Sequence, residues 1–135
     1  MSERSGSSRL RRTQQRSAIR RALVDAGRPL SPQEIADAAK AHAPGVGLAT
    51  VYRTLRRLSE EGWLVAIDLP GESARYELAG KKHHHHFRCV ACGGVFELAG
   101  CPTTPLEGLL PRGFQLAGHD ILLYGRCDAC SACPT

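Results

Sequence analysis

Aromatic side chains are scarce in this chain of 135 residues: one Trp, three Tyr and three Phe make up 5% of it, although 42% is hydrophobic. Without large anchors a single extended core is hard to fill, so two small lobes stapled by metal are expected rather than one large core. Long apolar runs are missing as well. No stretch approaches the roughly 20 residues that span a bilayer, and no apolar segment near the start has the look of an export signal, so a cytoplasmic protein with no membrane partner is expected. Negative charge is in deficit, with 13 Asp and Glu against 18 Lys and Arg and a formal net charge of +5. Arg4, Arg9, Arg11, Arg12, Arg16, Arg20 and Arg21 crowd the first part, a bias that suits an anionic polymer. Six cysteines without an export signal read as reduced thiols, and the paired ones as metal ligands rather than disulfides.

The stretch Arg75–Cys92, RYELAGKKHHHHFRCVAC, concentrates most of the chemistry. In an extended segment side chains alternate with period two, so His84 and His86 are expected on one side and His83 and His85 on the other. One short run can then feed two different ions. Cys89-x-x-Cys92 and Cys127-x-x-Cys130 have the spacing of a closed four-thiolate zinc site, because two residues between thiolates let both reach one ion from a single tight turn. Such a site ties the first strand of the second lobe to its last, and its binding free energy becomes folding free energy. Cys133 extends the tail and is left outside this set. Glu77, His84 and His86, with Glu97 from the paired strand, form a second candidate set, and His83, His85 and His119 a third.

Read in order, Met1–Arg9 is polar and is expected as the main part of a disordered basic arm over residues 1–10. From Thr13 a helical period sets in, with Ile19, Ala22, Leu23 and Ala26 on one side and Gly27 and Pro29 as the stop. Ser31-Pro32-Gln33-Glu34 is a capping box opening a second helix whose apolar side is Ile35, Ala38 and Ala39. A third helix carries Val51, Leu55 and Leu58 inward and Thr50, Arg53, Arg56 and Arg57 outward, and Gly62 ends it. Trp63–Leu69 and Ser73–Leu78, separated by Pro70-Gly71-Glu72, read as a β-hairpin. Three helices followed by a hairpin is the winged-helix plan, with the third helix entering the major groove. Beyond the histidines, Phe87–Leu98 reads as a strand pair turning at Gly93-Gly94. A short helix around Leu106–Leu110 and a buried strand within Gly118–Arg126 complete a lobe with little core of its own. The expected fold class is α+β: a winged-helix DNA-binding domain over residues 11–80, then a small α/β metal-binding dimerisation domain over residues 81–135 with a structural zinc site.

These residues resemble the ferric uptake regulator (Fur) family of metal-dependent repressors, which includes zinc uptake regulators and peroxide sensors. Thr13-Gln14-Gln15-Arg16 is similar to the family's first-helix start, and Gly47-Leu48-Ala49-Thr50-Val51-Tyr52-Arg53-Thr54-Leu55 to its recognition-helix signature. His83–Cys92 is similar to its metal motif and Leu123-Tyr124-Gly125-Arg126-Cys127 to its closing strand. The resemblance implies a homodimer that grips a palindromic double-stranded operator and represses metal-uptake genes when metal is replete. It implies a regulatory Zn2+ or Fe2+ on Glu77, His84, His86 and Glu97 beside the structural Zn2+. His83, His85 and His119 match a second site whose acidic ligand is left open, with Glu107 as candidate. Tyr52 and Arg53 match base-reading residues and Arg11 the minor-groove arm, with Thr50 and Arg56 on the same helix face. The departures cut both ways, and the missing histidine at Pro29 together with Cys101 favours a zinc-responsive member over an iron-responsive one. Pro29 stands where iron and peroxide sensors often have a histidine, and Val65 and Ala79 stand where some zinc regulators have ligands. Cys101, close to Glu97 in sequence, is a candidate for the missing sulfur ligand, which would favour zinc.

Two readings from other classes stand beside this one. A metalloenzyme using the histidines to activate water would need an open coordination site and a substrate pocket, and the chain has no HExxH motif. A metal buffer would use the cysteine-rich tail but leaves the helix-turn-helix without a purpose. Not an enzyme, and no small-molecule substrate beyond metal ions, is the expectation.

Overall fold

The capping box at Ser31 is the clearest case of sequence dictating backbone. Ser31 Oγ accepts from the Glu34 N–H at 3.1 Å while the Glu34 carboxylate accepts from the Ser31 N–H at 3.1 Å, which satisfies two of the donors a helix start leaves open. In the computed structural model, which describes residues 3–132, this box opens α2, Pro32–Ala39, between α1, Glu3–Ala26, and α3, Leu48–Glu60. Gly27 at φ +61° stops α1, a left-handed conformation that a side chain would strain. By internal contacts the chain divides into two compact units, Met1–Gly80 and Lys81–Thr135.

In the first unit the three helices pack around Ile19, Leu23, Ile35, Val51, Leu55 and Leu58, all essentially solvent-free. The buried side of α2 is Ile35, Ala36 and Ala39, while Ala38 is exposed. The expectation for Ala38 therefore shifts to Ala36, because on a two-turn helix the i, i+1, i+4 triad faces the neighbours. The hairpin follows as β1, Leu64–Ile67, and β2, Arg75–Leu78, antiparallel with Val65 opposite Glu77. Leu30 joins its edge, exchanging both backbone hydrogen bonds with Tyr76 at 2.9 Å, so the link between α1 and α2 acts as a one-residue third strand. Arg20 lies 4.8 Å over the Trp63 ring and ties α1 to the hairpin, an arrangement worth about 0.5–2 kcal/mol. Glu34 also pairs with Arg28 at 3.2 Å and with Arg75, linking α2 to β2.

The expected disordered arm is continuous with α1, which is helical from Glu3. Ser and Gly content suggested disorder, but no proline occurs before Pro29, and once a helix is nucleated each added residue gains a hydrogen bond. Ser8 Oγ accepts from Arg12 and Arg9 O from the Thr13 hydroxyl, both across one turn. Met1 and Ser2 lie outside the described residues.

The second unit is a three-stranded sheet in the order β4-β3-β5. β3, His85–Cys89, runs antiparallel to β4, Val95–Leu98, and parallel to β5, Leu122–Gly125. The β3–β4 turn uses Gly93 at φ +76°, and a side chain on Gly125 would stand 3.0 Å from the Phe87 ring. Two short helices complete it: α4, Thr103–Glu107, lying three residues before the expected position, and α5, Asp128–Ser131, in the cysteine tail. The proline at position 105 suits the first turn of α4, and Gly108 caps its end. β5 is not the buried strand its apolar sequence suggested. Leu123 and Tyr124 are about half exposed, because this unit supplies a sheet but no layer to cover it. Among its described residues only His85, Cys89, Gly94 and Val95 are buried, too small a core to hold a sheet without further cross-links.

Candidate metal centres and nucleic-acid face

At the end of β3, the Cys89–Cys92 turn and the Cys127–Cys130 turn bring four sulfurs together, with ligand atoms all within 4.8 Å of one another. Cys92 Sγ and Cys127 Sγ are 3.9 Å apart, against an S···S edge of about 3.8 Å for tetrahedral zinc with Zn–S bonds of about 2.3 Å. Backbone N–H groups of Cys127 at 3.3 Å and Cys92 at 3.4 Å donate to Cys89 Sγ. Those two donors hold the Cys89 thiol down to about 6 against the burial that opposes it. Cys130 goes the other way. Hydrogen bonding to Cys127 and Cys89, with burial, pushes it up to about 12. Four thiolates cannot coexist here unaided, and a dication is the group that offsets their repulsion, so this donor set fits zinc. Cys133 lies outside the described residues.

The histidine run divides by alternation. The His84 and His86 rings meet edge-on at 4.8 Å, and the His83 and His85 rings at 4.6 Å. His86 is the register partner of Glu97 across β3–β4, and Glu97 lies 3.7 Å from His84 Nδ1 and 3.2 Å from Lys81 Nζ. The His84 and His86 rings therefore adjoin within the second unit with Glu97 facing His84, while Glu77 is buried on β2 of the first.

The other pair meets His119, from the segment before β5. His119 Nε2 is 3.1 Å from His83 Nε2 and 3.2 Å from His85 Nε2. Burial, then the neighbouring His83 and His119, lower the His85 pKa, which favours the neutral ring, the form that offers a lone pair. Cys101, a candidate from sequence for the missing sulfur ligand of the regulatory set, is not grouped with His84 and His86. Instead its Sγ lies 2.8 Å from His119 Nε2, in the other cluster. β4 carries the chain past Glu97, and the turn at Gly100, φ +92°, delivers Cys101 to the opposite side of the sheet end. Glu107, the candidate acidic ligand, is exposed at the end of α4 and is not part of this group.

On the first unit, α3 exposes Tyr52, Arg53 and Arg56, with Thr50 half-buried and accepting from Arg53 at 3.2 Å. Arg11 is exposed on α1. Between α1 and α3 a cleft of about 340 Å³ is lined by Arg12, Gln15, Arg16, Thr50, Arg53, Thr54 and Arg57. Four guanidinium groups and no carboxylate line it, a chemistry suited to phosphate. Arg12, Arg16 and Arg57 were not singled out as DNA contacts from sequence. The clue was available: Arg12 and Arg16 are about one helical turn apart on the first helix.

A family model described as Ferric uptake regulator family matches residues 7–124. The chain belongs to the ferric uptake regulator family. It is 34% identical over 126 residues to the ferric uptake regulation protein of Campylobacter jejuni, covering 90% of this chain and 80% of that one. Among solved structures, the Helicobacter pylori ferric uptake regulator, described as having three functional metal binding sites, aligns at a TM-score of 0.65 and 29% identity over 87% of this chain and 79% of that one. A zinc-bound manganese uptake regulator aligns at 0.75 and 28% identity, covering 84% and 87%. Ferric uptake regulator family proteins are metal-dependent transcription regulators that bind DNA, not enzymes. No helix among the described residues is long and apolar enough to cross a membrane.

Proposed function

We propose that this chain is a zinc-responsive repressor of metal-uptake genes that acts in the cytoplasm as a homodimer on a palindromic operator. Residues 11–80 form the DNA-binding domain and residues 81–135 the metal-binding dimerisation domain. Arg11, Thr50, Tyr52, Arg53 and Arg56 contact DNA, and Cys89, Cys92, Cys127 and Cys130 hold a structural zinc. Glu77, His84, His86 and Glu97 hold the regulatory ion, and His83, His85 and His119 belong to a second site. The carrying observation is that one chain joins an arginine-lined recognition face on α3 to converging metal donors on β3 and β4. An ion that binds the DNA-competent form more tightly supplies the differential affinity that a metal switch requires. Exposed apolar residues of the second unit, Leu109, Phe114, Leu123 and Tyr124, support a partner subunit. Pro29, in place of a histidine ligand, supports zinc.

An iron-responsive repressor is the second reading. It is favoured by the donors of the regulatory set, which are all oxygen or nitrogen now that Cys101 lies elsewhere. Operator binding measured at buffered free Zn2+ and, anaerobically, at buffered free Fe2+ separates the two. Zinc is expected to tighten binding at the lower free concentration. Tightening by Fe2+ alone would replace the zinc reading, and equal affinity of metal-free and metal-loaded protein would remove the switch altogether.

A further inference from the structure

In the cluster of His83, His85, Cys101 and His119 three side chains crowd one ring nitrogen of His119, and of these Cys101 also meets the Thr103 hydroxyl at 3.3 Å. An imidazole nitrogen has one in-plane position, filled by a proton or a lone pair. Yet Cys101 Sγ at 2.8 Å, His83 Nε2 at 3.1 Å and His85 Nε2 at 3.2 Å all converge on His119 Nε2. One of the three can bond, and the buried His85 competes with two others for that place. A cation among them accepts a lone pair from all four. Zn–N bonds of about 2.0–2.1 Å put two imidazole nitrogens of a tetrahedral site about 3.3 Å apart, close to the N···N distances observed.

Three imidazoles and one thiolate make a soft set with no carboxylate, which suits Zn2+ over Fe2+, Mn2+ or Mg2+. Its place in the fold is equally informative. β3 begins at His85 and ends at Cys89; the four-thiolate set gathers the Cys89 end, and this cluster gathers the other, taking His119 from before β5 and Cys101 from after β4. We propose that Cys101 is the thiolate ligand of a second closed tetrahedral zinc site with His83, His85 and His119, which clasps the sheet at the end opposite the four-thiolate site. On binding, the Cys101 thiol releases its proton to solvent and the three imidazoles bind neutral. The site is a property of the second unit and does not depend on DNA binding.

Cobalt titration into the full chain, its four-thiolate site filled with zinc, tests this. Wild type and the His84→Ala/His86→Ala double variant are expected to show the intense visible bands of tetrahedral Co2+ together with a near-ultraviolet thiolate-to-cobalt charge-transfer band. Cys101→Ser is expected to lose that band and to bind zinc at this site more than about 100-fold more weakly, beyond the 10–100-fold typical of outer-sphere partners. An equal charge-transfer band in wild type and Cys101→Ser, or a weak six-coordinate spectrum in wild type, overturns the assignment. A second readout needs no variant. Added Zn2+ is expected to slow alkylation of Cys101 by iodoacetamide about tenfold or more, since the metal-bound thiolate is withdrawn from reaction; an unchanged rate overturns the assignment equally.

Discussion

Single side chains in the first unit carry separable duties. Glu34 caps α2 and pairs with Arg28 and Arg75. Burial tends to raise its pKa, but the Ser31 N–H and the two guanidinium groups outweigh burial and hold it below the ordinary value of 4.5. A carboxylate with a lowered folded pKa contributes stability above its unfolded pKa and loses it as pH falls through the folded value. Glu34→Gln is therefore expected to lower the urea midpoint at pH 7, by about 1 kcal/mol from the weakened capping box and ion pairs. That difference from wild type should shrink below pH 4.5. On the recognition face, Arg53 and Arg57 should separate by duty. Arg53→Ala is expected to cost about 1–3 kcal/mol on the preferred sequence and to relax specificity. Arg57→Ala, which removes a cleft guanidinium, should weaken binding to all sequences alike and reduce the slope of log affinity against log salt by about 1. Competition binding across salt concentrations distinguishes them, and a shared loss of specificity would contradict this division.

Among the elements, helices were the most legible in sequence because period and punctuation agreed. Ile19, Leu23, Val51, Leu55 and Leu58 are buried where the 3.6-residue pattern put them, and the capping box and Gly27 mark real ends. The hairpin was legible too, although its strands are shorter than the apolar runs around Pro70-Gly71. What local pattern could not give was anything set by the path of the chain in space. Leu30 bonds to Tyr76 across more than forty residues, and Cys101 turns away from its sequence neighbour Glu97 to meet His119. β5 reads as buried because its residues are apolar, yet burial depends on a covering layer and the second unit has none. Leu55→Ala on α3 is expected to destabilise the first unit by about 2–5 kcal/mol, measured by denaturant unfolding, since Leu55 is fully enclosed by the three-helix core. A cost under about 1 kcal/mol would mean the core is not packed as described.

At the scale of the molecule, the two units are expected to draw their stability from different sources. The first has a continuous apolar core, whereas the second buries little beyond His85, Cys89 and Val95 and would draw on metal held by its donor clusters. Chelation under reducing conditions is accordingly expected to abolish the thermal transition of the second unit and leave that of the first in place. Loss of both together would show that the first unit cannot stand alone. The division of the histidine run into two pairs followed from strand alternation, but which ion each serves did not, because donor type alone leaves zinc and iron both open for His84, His86 and the carboxylates. The central claim is that an ion on His84 and His86 governs the grip of α3 on DNA. The most direct measurement is operator affinity with and without saturating metal, for wild type and for His84→Ala/His86→Ala with the four-thiolate zinc retained. Wild type is expected to tighten at least about tenfold on metal loading, a coupling of about 1.4 kcal/mol, while the double variant stays at the metal-free affinity. A folded double variant that tightens as much as wild type would contradict the account.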